Sequence, residues 1–129
     1  MARRWYEYAS FALFWPLLAL WTWKLLEPLP LPTFVSEALS FSDVAKFLLA
    51  KGLHAGVYAT LAGLAWLWVP ARWRWIAIGL LVLHGAGTEI GQTFVPGRFG
   101  SPLDVLIDSA GIAIGILVAR RIRRPRIVP

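Results

Sequence analysis

Residues 84–111 read HGAGTEIGQTFVPGRFGSPLDVLIDSAG, and this stretch decides the fold. Its two flanks are apolar with polar side chains at helical intervals, while its centre, PGRFGSP, has the prolines and glycines of a tight turn. It therefore predicts the end of one helix, a turn and the start of the next helix. Six polar side chains stand out in it, in a chain made mostly of Leu, Ala, Ile, Val and Trp: His84, Glu89, Gln92, Arg98, Asp104 and Asp108.

The composition indicates which solvent surrounds these helices. The chain has 129 residues, enough for a single domain over residues 1–129, and 58% of them are hydrophobic. Its mean hydropathy is +0.63. A soluble domain of this size cannot hide so many large apolar side chains in one core, so the lipid bilayer is the expected solvent. There are no cysteines, which excludes disulfides, thiol nucleophiles and cysteine-based metal sites.

Four segments are apolar enough for membrane spans, since a helix needs roughly 20 mostly apolar residues to cross the bilayer. We expect an all-α fold, an integral membrane four-helix bundle. The predicted spans are residues 8–26, 53–69, 75–94 and 103–119.

The basic residues predict the orientation of the spans. The net charge is +6, and most Lys and Arg residues lie at positions 3–4, 70–75 and 120–126, each beside an apolar run. Because positive charge favours the cytoplasmic side, both termini are predicted to be cytoplasmic and the PGRFGSP turn external. We therefore expect a multi-pass protein of the cytoplasmic membrane, and we interpret its basicity as a topology signal rather than as nucleic-acid binding.

The segment between the first two spans has two predicted features. Prolines at alternating positions in Glu27–Pro32 favour an extended conformation, and Ser42 followed by Asp43 favours a helix start. The sequence leaves two alternatives open. The helix from Asp43 either continues into the second span, or residues 36–50 form a separate helix along the outer interface.

Helical spacing places polar residues of three spans at one depth, near the outer end of the predicted bundle. On the third span, the polar residues from His84 to Gln92 fall within an arc of roughly 140° at 100° per residue. The other two spans each carry polar side chains three or four residues apart: Lys51, His54 and Tyr58 on the second, Asp104 and Asp108 on the fourth. We therefore predict a polar pocket in the outer leaflet.

Small residues repeat at four-residue intervals on the same three spans, a pattern that permits close helix contact. The repeats are Ala55-x3-Ala59-x3-Gly63, Gly87-x3-Gly91 and Gly111-x3-Gly115. They predict a compact bundle, and we assign Gly111 and Gly115 a structural role.

The strongest candidates for catalysis are Glu89, Asp108 and His54. A carboxylate at the depth of Asp108 costs roughly 2.5–3.5 kcal/mol on insertion scales, so it needs a partner or a purpose. His54 either makes a simple hydrogen bond or takes part in acid–base chemistry with one of the two acids. We interpret His84 as a buried histidine that is hydrogen-bonded across helices.

The remaining polar residues are candidates for ligand binding: Lys51, Tyr58, Gln92, Arg98 and Asp104. Arg98 either pairs with Glu89 or Asp104 or binds a phosphate or carboxylate. Asp104 has a structural alternative, because Ser101-Pro102-Leu103-Asp104 fits a capping box with Ser101 as the cap.

Possible metal ligands are present, namely His54, His84, Glu89, Asp104 and Asp108, but the sequence has no signature of a metal or cofactor site. HExxH, GxSxG, P-loop and GxGxxG patterns are all absent. Lys51 and Arg98 are expected to neutralise the nearby acids, so we predict neither a metal nor a cofactor.

The order of these residues resembles the VanZ-like family of small bacterial membrane proteins. The similarity lies in Lys51-x2-His54-x3-Tyr58, then Glu89-x2-Gln92-x-Phe94-x-Pro96-x-Arg98, then Ser101-x2-Asp104 and Gly111-x3-Gly115. The resemblance implies a role like that of the family's namesake, low-level resistance to the glycopeptide teicoplanin. Two positions depart from the family pattern: Ala50 stands where an acid is common, and Asp108 where an Asn is common.

Three functions are compatible with these observations. The leading hypothesis is binding of the headgroup of an anionic lipid or cell-envelope precursor. The second is an enzyme that acts on such a lipid, with the type of reaction left open. The third is a structural accessory subunit of a larger membrane complex. The expected partners are membrane lipids and either a larger complex or further copies of the chain, without nucleic acid.

Overall fold

The computed structural model describes residues 5–27 and 42–123, and these fold into four α-helices. Their bounds are α1 Trp5–Leu26, α2 Asp43–Trp68, α3 Arg74–Gln92 and α4 Pro102–Arg123, with a short 3₁₀ turn at Ala71–Trp73 between α2 and α3. The predicted all-α fold is confirmed. The prolines of Glu27–Pro32 and the basic residues at 3–4 and 124–126 lie outside the described residues.

Helix α2 begins where the sequence predicts and continues without a break. The Ser42 hydroxyl accepts a hydrogen bond from the backbone N–H of Ala45 at 3.3 Å, which satisfies one of the free donors of the first turn. From Asp43 the helix runs straight into the predicted second span. The structure therefore selects the first of the two alternatives for residues 43–50.

The first and last described turns lie at the same end of the bundle. Arg123 donates to the Glu7 carboxylate at 3.2 Å and also to the Leu67 carbonyl. Beside this contact, the Arg120 guanidinium lies 4.9 Å from the ring centre of the buried Trp66. We call this the basic end, and we call the opposite end, where residues 93–101 join α3 to α4, the loop end. Which end faces the cytoplasm stays a prediction.

Helices α2 and α4 pack backbone against backbone. A Cβ added to Gly111 would lie 2.2 Å from the Ala55 carbonyl oxygen, and one added to Gly115 would lie 2.0 Å from that of Ala59. Real Cβ atoms do not approach a carbonyl so closely, so the contact requires glycine at both positions. The predicted structural role of these two glycines follows directly from this geometry.

Of the two glycines that the spacing predicts on α3, Gly91 meets a neighbouring helix and Gly87 does not: a Cβ added to Gly91 would lie 3.0 Å from a methyl group of Leu26. Nothing lies within 4 Å of a Cβ added to Gly87, so the predicted close contact there is wrong. Gly85 faces the bundle instead, and a Cβ on it would lie 3.2 Å from Asp108 Oδ2 and 3.4 Å from the Tyr58 hydroxyl. The reason is that α3 turns its polar face inward and leaves Gly87 outside.

Three of the four helices, α1, α2 and α4, are long and apolar enough to cross a membrane. Helix α3 falls outside this group because its second half carries His84, Glu89 and Gln92, which lower its hydropathy. The buried side chains of that half face the other helices, while Leu80, Leu83 and Ile90 remain exposed on the outer surface of the bundle. The four-span arrangement stays a prediction for α3.

Candidate functional site

Two turns of α2 pair with two turns of α4 at the loop end. The Lys51 ammonium forms an ion pair with Asp104. One turn deeper, His54 Nδ1 lies 3.1 Å from Asp108 Oδ1. The spacing of three residues on α2 and four on α4 keeps both pairs in register, because each spacing is close to one helical turn. The predicted convergence of these four side chains is therefore present in the structure.

Three buried polar side chains near the loop end each keep one polar atom without a partner. They are Glu89, Gln92 and Asp108, with only 4%, 4% and 2% of their surfaces exposed. The unpaired atoms are Glu89 Oε1, Gln92 Nε2 and Asp108 Oδ2. Glu89 and Asp108 lie together with His54, and Gln92 lies about one turn along the helix from Glu89. Buried polar atoms in proteins are nearly always hydrogen-bonded, so these three orphans indicate a place for a ligand, a water molecule or an ion.

The other oxygen of Glu89 holds the start of α4. Glu89 Oε2 accepts a hydrogen bond from the Ser101 backbone N–H at 2.8 Å. In the capping box that the sequence predicts, Asp104 would accept from this N–H. That prediction is wrong, because Glu89 occupies the Ser101 donor and the Asp104 side chain turns to Lys51. The loop packs tightly here, since a Cβ on Gly100 would lie 2.0 Å from the Glu89 carbonyl oxygen.

His54, Glu89 and Asp108 form the centre of the site. One nitrogen or carboxylate oxygen from each of the three side chains lies within 4.8 Å of the others. The three residues come from α2, α3 and α4, so the cluster exists only in the folded bundle. These are the three residues that the sequence singles out as candidates for catalysis.

Tyr58 and His84 belong to a second polar network, deeper in the bundle. The Tyr58 hydroxyl lies 2.9 Å from His84 Nδ1, and the Thr22 hydroxyl lies 2.9 Å from His84 Nε2. Thr22 has one hydrogen, which it donates to the Leu18 carbonyl at 2.7 Å, so it accepts from Nε2–H. His84 thus carries its proton on Nε2, and Tyr58 donates to Nδ1. The predicted hydrogen bonds of His84 across helices are confirmed, but its side chain is only partly buried.

Arg98 does not pair with either predicted acid. Its Nη2 donates to the Leu25 carbonyl at 2.9 Å, which ties the 93–101 loop to the last turn of α1. Its Nε is buried and has no partner. Among residues 5–27 and 42–123, no ion pair involves Arg98. Its ligand-binding role stays a prediction.

Three residues that shape the site were not predicted from the sequence. Thr22, Gly85 and Gly100 take part through the contacts described above. Thr22 had a weak signal, as a hydroxyl within an apolar span. The two glycines were not singled out, because their role depends on which group of another helix faces them.

A separate apolar cavity of about 470 Å³ lies nearer the basic end. Its walls come from α1, α2, α3 and the connection between α2 and α3: Phe14, Trp15, Leu18, Ala65, Trp68, Val69, Pro70, Trp73, Ile76, Ala77, Leu80, Leu81 and His84. His84 is the one titratable residue in this lining. The cavity and the polar cluster are therefore distinct features of the bundle, and His84 is the residue that links the cavity to Tyr58.

Comparison with known proteins assigns the chain to a family. No curated protein and no solved structure matches it. A family model described as VanZ/LLP1 matches residues 6–123, a range that includes all four helices and every residue of the site. This agrees with the resemblance found in the order of the polar residues. The chain belongs to the VanZ/LLP1 family.

Proposed function

We propose that the loop end of this membrane protein binds the headgroup of an anionic lipid or cell-envelope precursor. The observation that carries the proposal is that Glu89 and Asp108, which lie together with His54, and Gln92, one turn along α3 from Glu89, each keep a buried polar atom without a partner. These atoms include acceptors and a donor, so a ligand with both hydroxyl or amine groups and anionic oxygens complements them.

The basic side chains of the site are more exposed than their acidic partners, which suits such a ligand. The two basic side chains, Lys51 and His54, keep 22% and 12% of their surfaces exposed. Their acidic partners, Asp104 and Asp108, keep 9% and 3%. A phosphate or carboxylate arriving at the edge of the bundle thus meets the basic groups first. The acids behind them hold these groups in place and offer acceptors to hydroxyl or amine groups of the ligand.

The surroundings favour a lipid over a free solute. Large apolar side chains remain exposed near the cluster, including Leu53 of α2, Ile90 of α3 and Leu106 of α4. In a bilayer these side chains contact acyl chains. A headgroup bound at the cluster would therefore keep its own chains in contact with an apolar surface.

The same residues supply groups for chemistry on a bound headgroup. His54 has a carboxylate, Asp108, within hydrogen-bond distance of Nδ1, the arrangement that orients a general base. The described residues contain no distinctive nucleophile at this position. Binding is therefore the function that the geometry supports best, and acid–base catalysis is an extension of it.

The test is to identify the lipids that purify with the protein in native membrane nanodiscs. The variants are Lys51→Gln and Glu89→Gln, with Lys46→Gln and Asp43→Asn as controls on the exposed first turn of α2. We expect at least a five-fold loss of one enriched anionic lipid in the site variants and no change in the controls. An unchanged lipid profile in both site variants contradicts headgroup binding, as does a stoichiometric protein partner with no enriched lipid.

A further inference from the structure

We propose that His54, Glu89 and Asp108 bind a divalent transition-metal ion. The geometric basis is that one ligand atom from each residue lies within 4.8 Å of the other two. The second, independent basis is that Glu89 Oε1 and Asp108 Oδ2 are both buried and unpartnered. A metal ion would bind both orphaned acceptors. No hydrogen bond among the described residues satisfies either of them.

The spacing suits a metal after small side-chain movements. Ligand atoms bound at about 2.0–2.2 Å in a tetrahedral arrangement lie about 3.4 Å apart. The observed upper limit of 4.8 Å is wider than this by an amount that rotations of a histidine ring and two carboxylates can close.

The charges nearby also favour a cation. Lys51 is paired with Asp104, and Arg98 donates to the Leu25 carbonyl, so neither neutralises Glu89 or Asp108. Lys51 thus neutralises one nearby acid, as the sequence predicts, whereas Arg98 forms no ion pair within residues 5–27 and 42–123. Two carboxylates in a poorly hydrated site repel each other strongly unless a cation or a proton separates them. A divalent ion bound between Glu89 and Asp108 compensates both acids.

Neighbouring contacts already orient the proposed ligands. The Ser101 backbone N–H fixes Glu89 Oε2 and leaves Oε1 free. Asp108 makes its contact with His54 through Oδ1 and leaves Oδ2 free. The Ser101 contact is of the kind that holds a metal ligand in place, and loss of such a contact typically costs about 10–100-fold in affinity.

The donor set indicates the class of ion. One imidazole nitrogen and two carboxylate oxygens, in a chain without cysteine, suit Zn²⁺, Mn²⁺ or Fe²⁺ better than a soft ion such as Cu⁺. Three protein ligands leave at least one coordination position open, as in catalytic rather than structural sites. The metal site shares Glu89 and Asp108 with the proposed headgroup site, so a bound ion would offer its open coordination position to the anionic oxygens of the headgroup in place of these two carboxylates. Binding of the ion itself requires only the three side chains, so it can be measured without a lipid ligand.

The test is direct metal binding to tag-free protein that has been purified in detergent and treated with a chelator. Zn²⁺ titration by calorimetry and Co²⁺ titration by visible absorption are expected to show one saturable ion per chain. Glu89→Gln and Asp108→Asn keep the shape of each side chain and are expected to weaken binding at least ten-fold. Asp43→Asn removes an exposed acid from α2 and serves as the matched control, with unchanged affinity.

Thermal unfolding provides the second measurement. Zn²⁺ is expected to raise the Tm of the wild type and of Asp43→Asn, but not that of Glu89→Gln or Asp108→Asn, because only a bound ion stabilises by mass action. In chelator, Asp108→Asn is expected to be at least as stable as the wild type, since it removes one of two neighbouring acids. The proposal is overturned if the wild type binds no stoichiometric ion, or if both site variants bind like the wild type. Neither result depends on which lipid the protein carries.

Discussion

The Tyr58 hydroxyl donates to His84 Nδ1 across 2.9 Å, and this bond joins α2 to α3 in the interior of the bundle. Tyr58 is fully buried. With Thr22 on the other ring nitrogen, His84 connects three helices through two hydrogen bonds. Such interhelical bonds help to specify which faces meet in a membrane protein, where burial of apolar surface alone gives little preference.

Tyr58→Phe is expected to lower the free energy of unfolding by about 1–3 kcal/mol, because it leaves Nδ1 of His84 without its donor. The measurement is unfolding in mixed micelles followed by circular dichroism. Thr60→Val is the control on the same helix, since the Thr60 hydroxyl is exposed and bonds only to the Gly56 carbonyl. Equal stability of the two variants would show that the Tyr58–His84 bond contributes nothing.

Gly115→Ala is expected to destabilise the bundle by about 1–3 kcal/mol, the usual effect of overpacking. The physical reason is that the new Cβ would lie 2.0 Å from the Ala59 carbonyl oxygen and would force α2 and α4 apart. Gly56→Ala on α2 is the control, because nothing lies within 4 Å of its Cβ. Thermal unfolding of both variants in the same detergent checks the prediction, and a Gly115→Ala variant as stable as Gly56→Ala would refute it.

Arg98→Ala is expected to release the last turn of α1 from the 93–101 loop, with a loss of about 1–2 kcal/mol for a charged hydrogen bond at a partly exposed site. Hydrogen exchange is expected to become faster for the backbone amides of residues 22–26. Arg72→Ala, on the exposed turn at the basic end, is the control. If exchange in α1 does not change, Arg98 does not hold that helix.

Glu89→Ala and Glu89→Gln separate the two roles of this carboxylate. Glutamine keeps an oxygen that accepts from the Ser101 N–H, whereas alanine leaves this donor unpaired at the start of α4. We therefore expect faster hydrogen exchange at Ser101 in Glu89→Ala and little change in Glu89→Gln. Equal exchange rates in the two variants would mean that the hydrogen bond to Ser101 does not protect the loop.

The helix content and the composition of the site could be predicted from the sequence because both follow from local spacing. Periodicity placed Lys51, His54, Asp104 and Asp108 on facing sides of their helices, and the structure pairs them. The helix start at Ser42 was equally local. These features need only the geometry of one helix at a time.

Pairings between helices could not be predicted in the same way. The capping box at Ser101 was a sound local pattern, but a carboxylate from α3 reaches the same N–H. Arg98 was expected to pair with an acid, but its guanidinium donates to a carbonyl of α1, 73 residues earlier in the chain. In both cases the competing partner comes from an element whose position depends on the whole bundle.

The glycine contact between α2 and α4 has a mechanical consequence. These helices touch through their backbones at Gly111 and Gly115, so they behave as one stiff body that carries both the Lys51–Asp104 and His54–Asp108 pairs. Glu89 belongs to α3, whose glycines facing its neighbours meet side chains rather than backbone: at Gly91 a Cβ would lie 3.0 Å from a methyl group of Leu26. The backbone contact therefore fixes the spacing of the two pairs, whereas Glu89 reaches the site from α3 and is tied to the start of α4 through the Ser101 N–H.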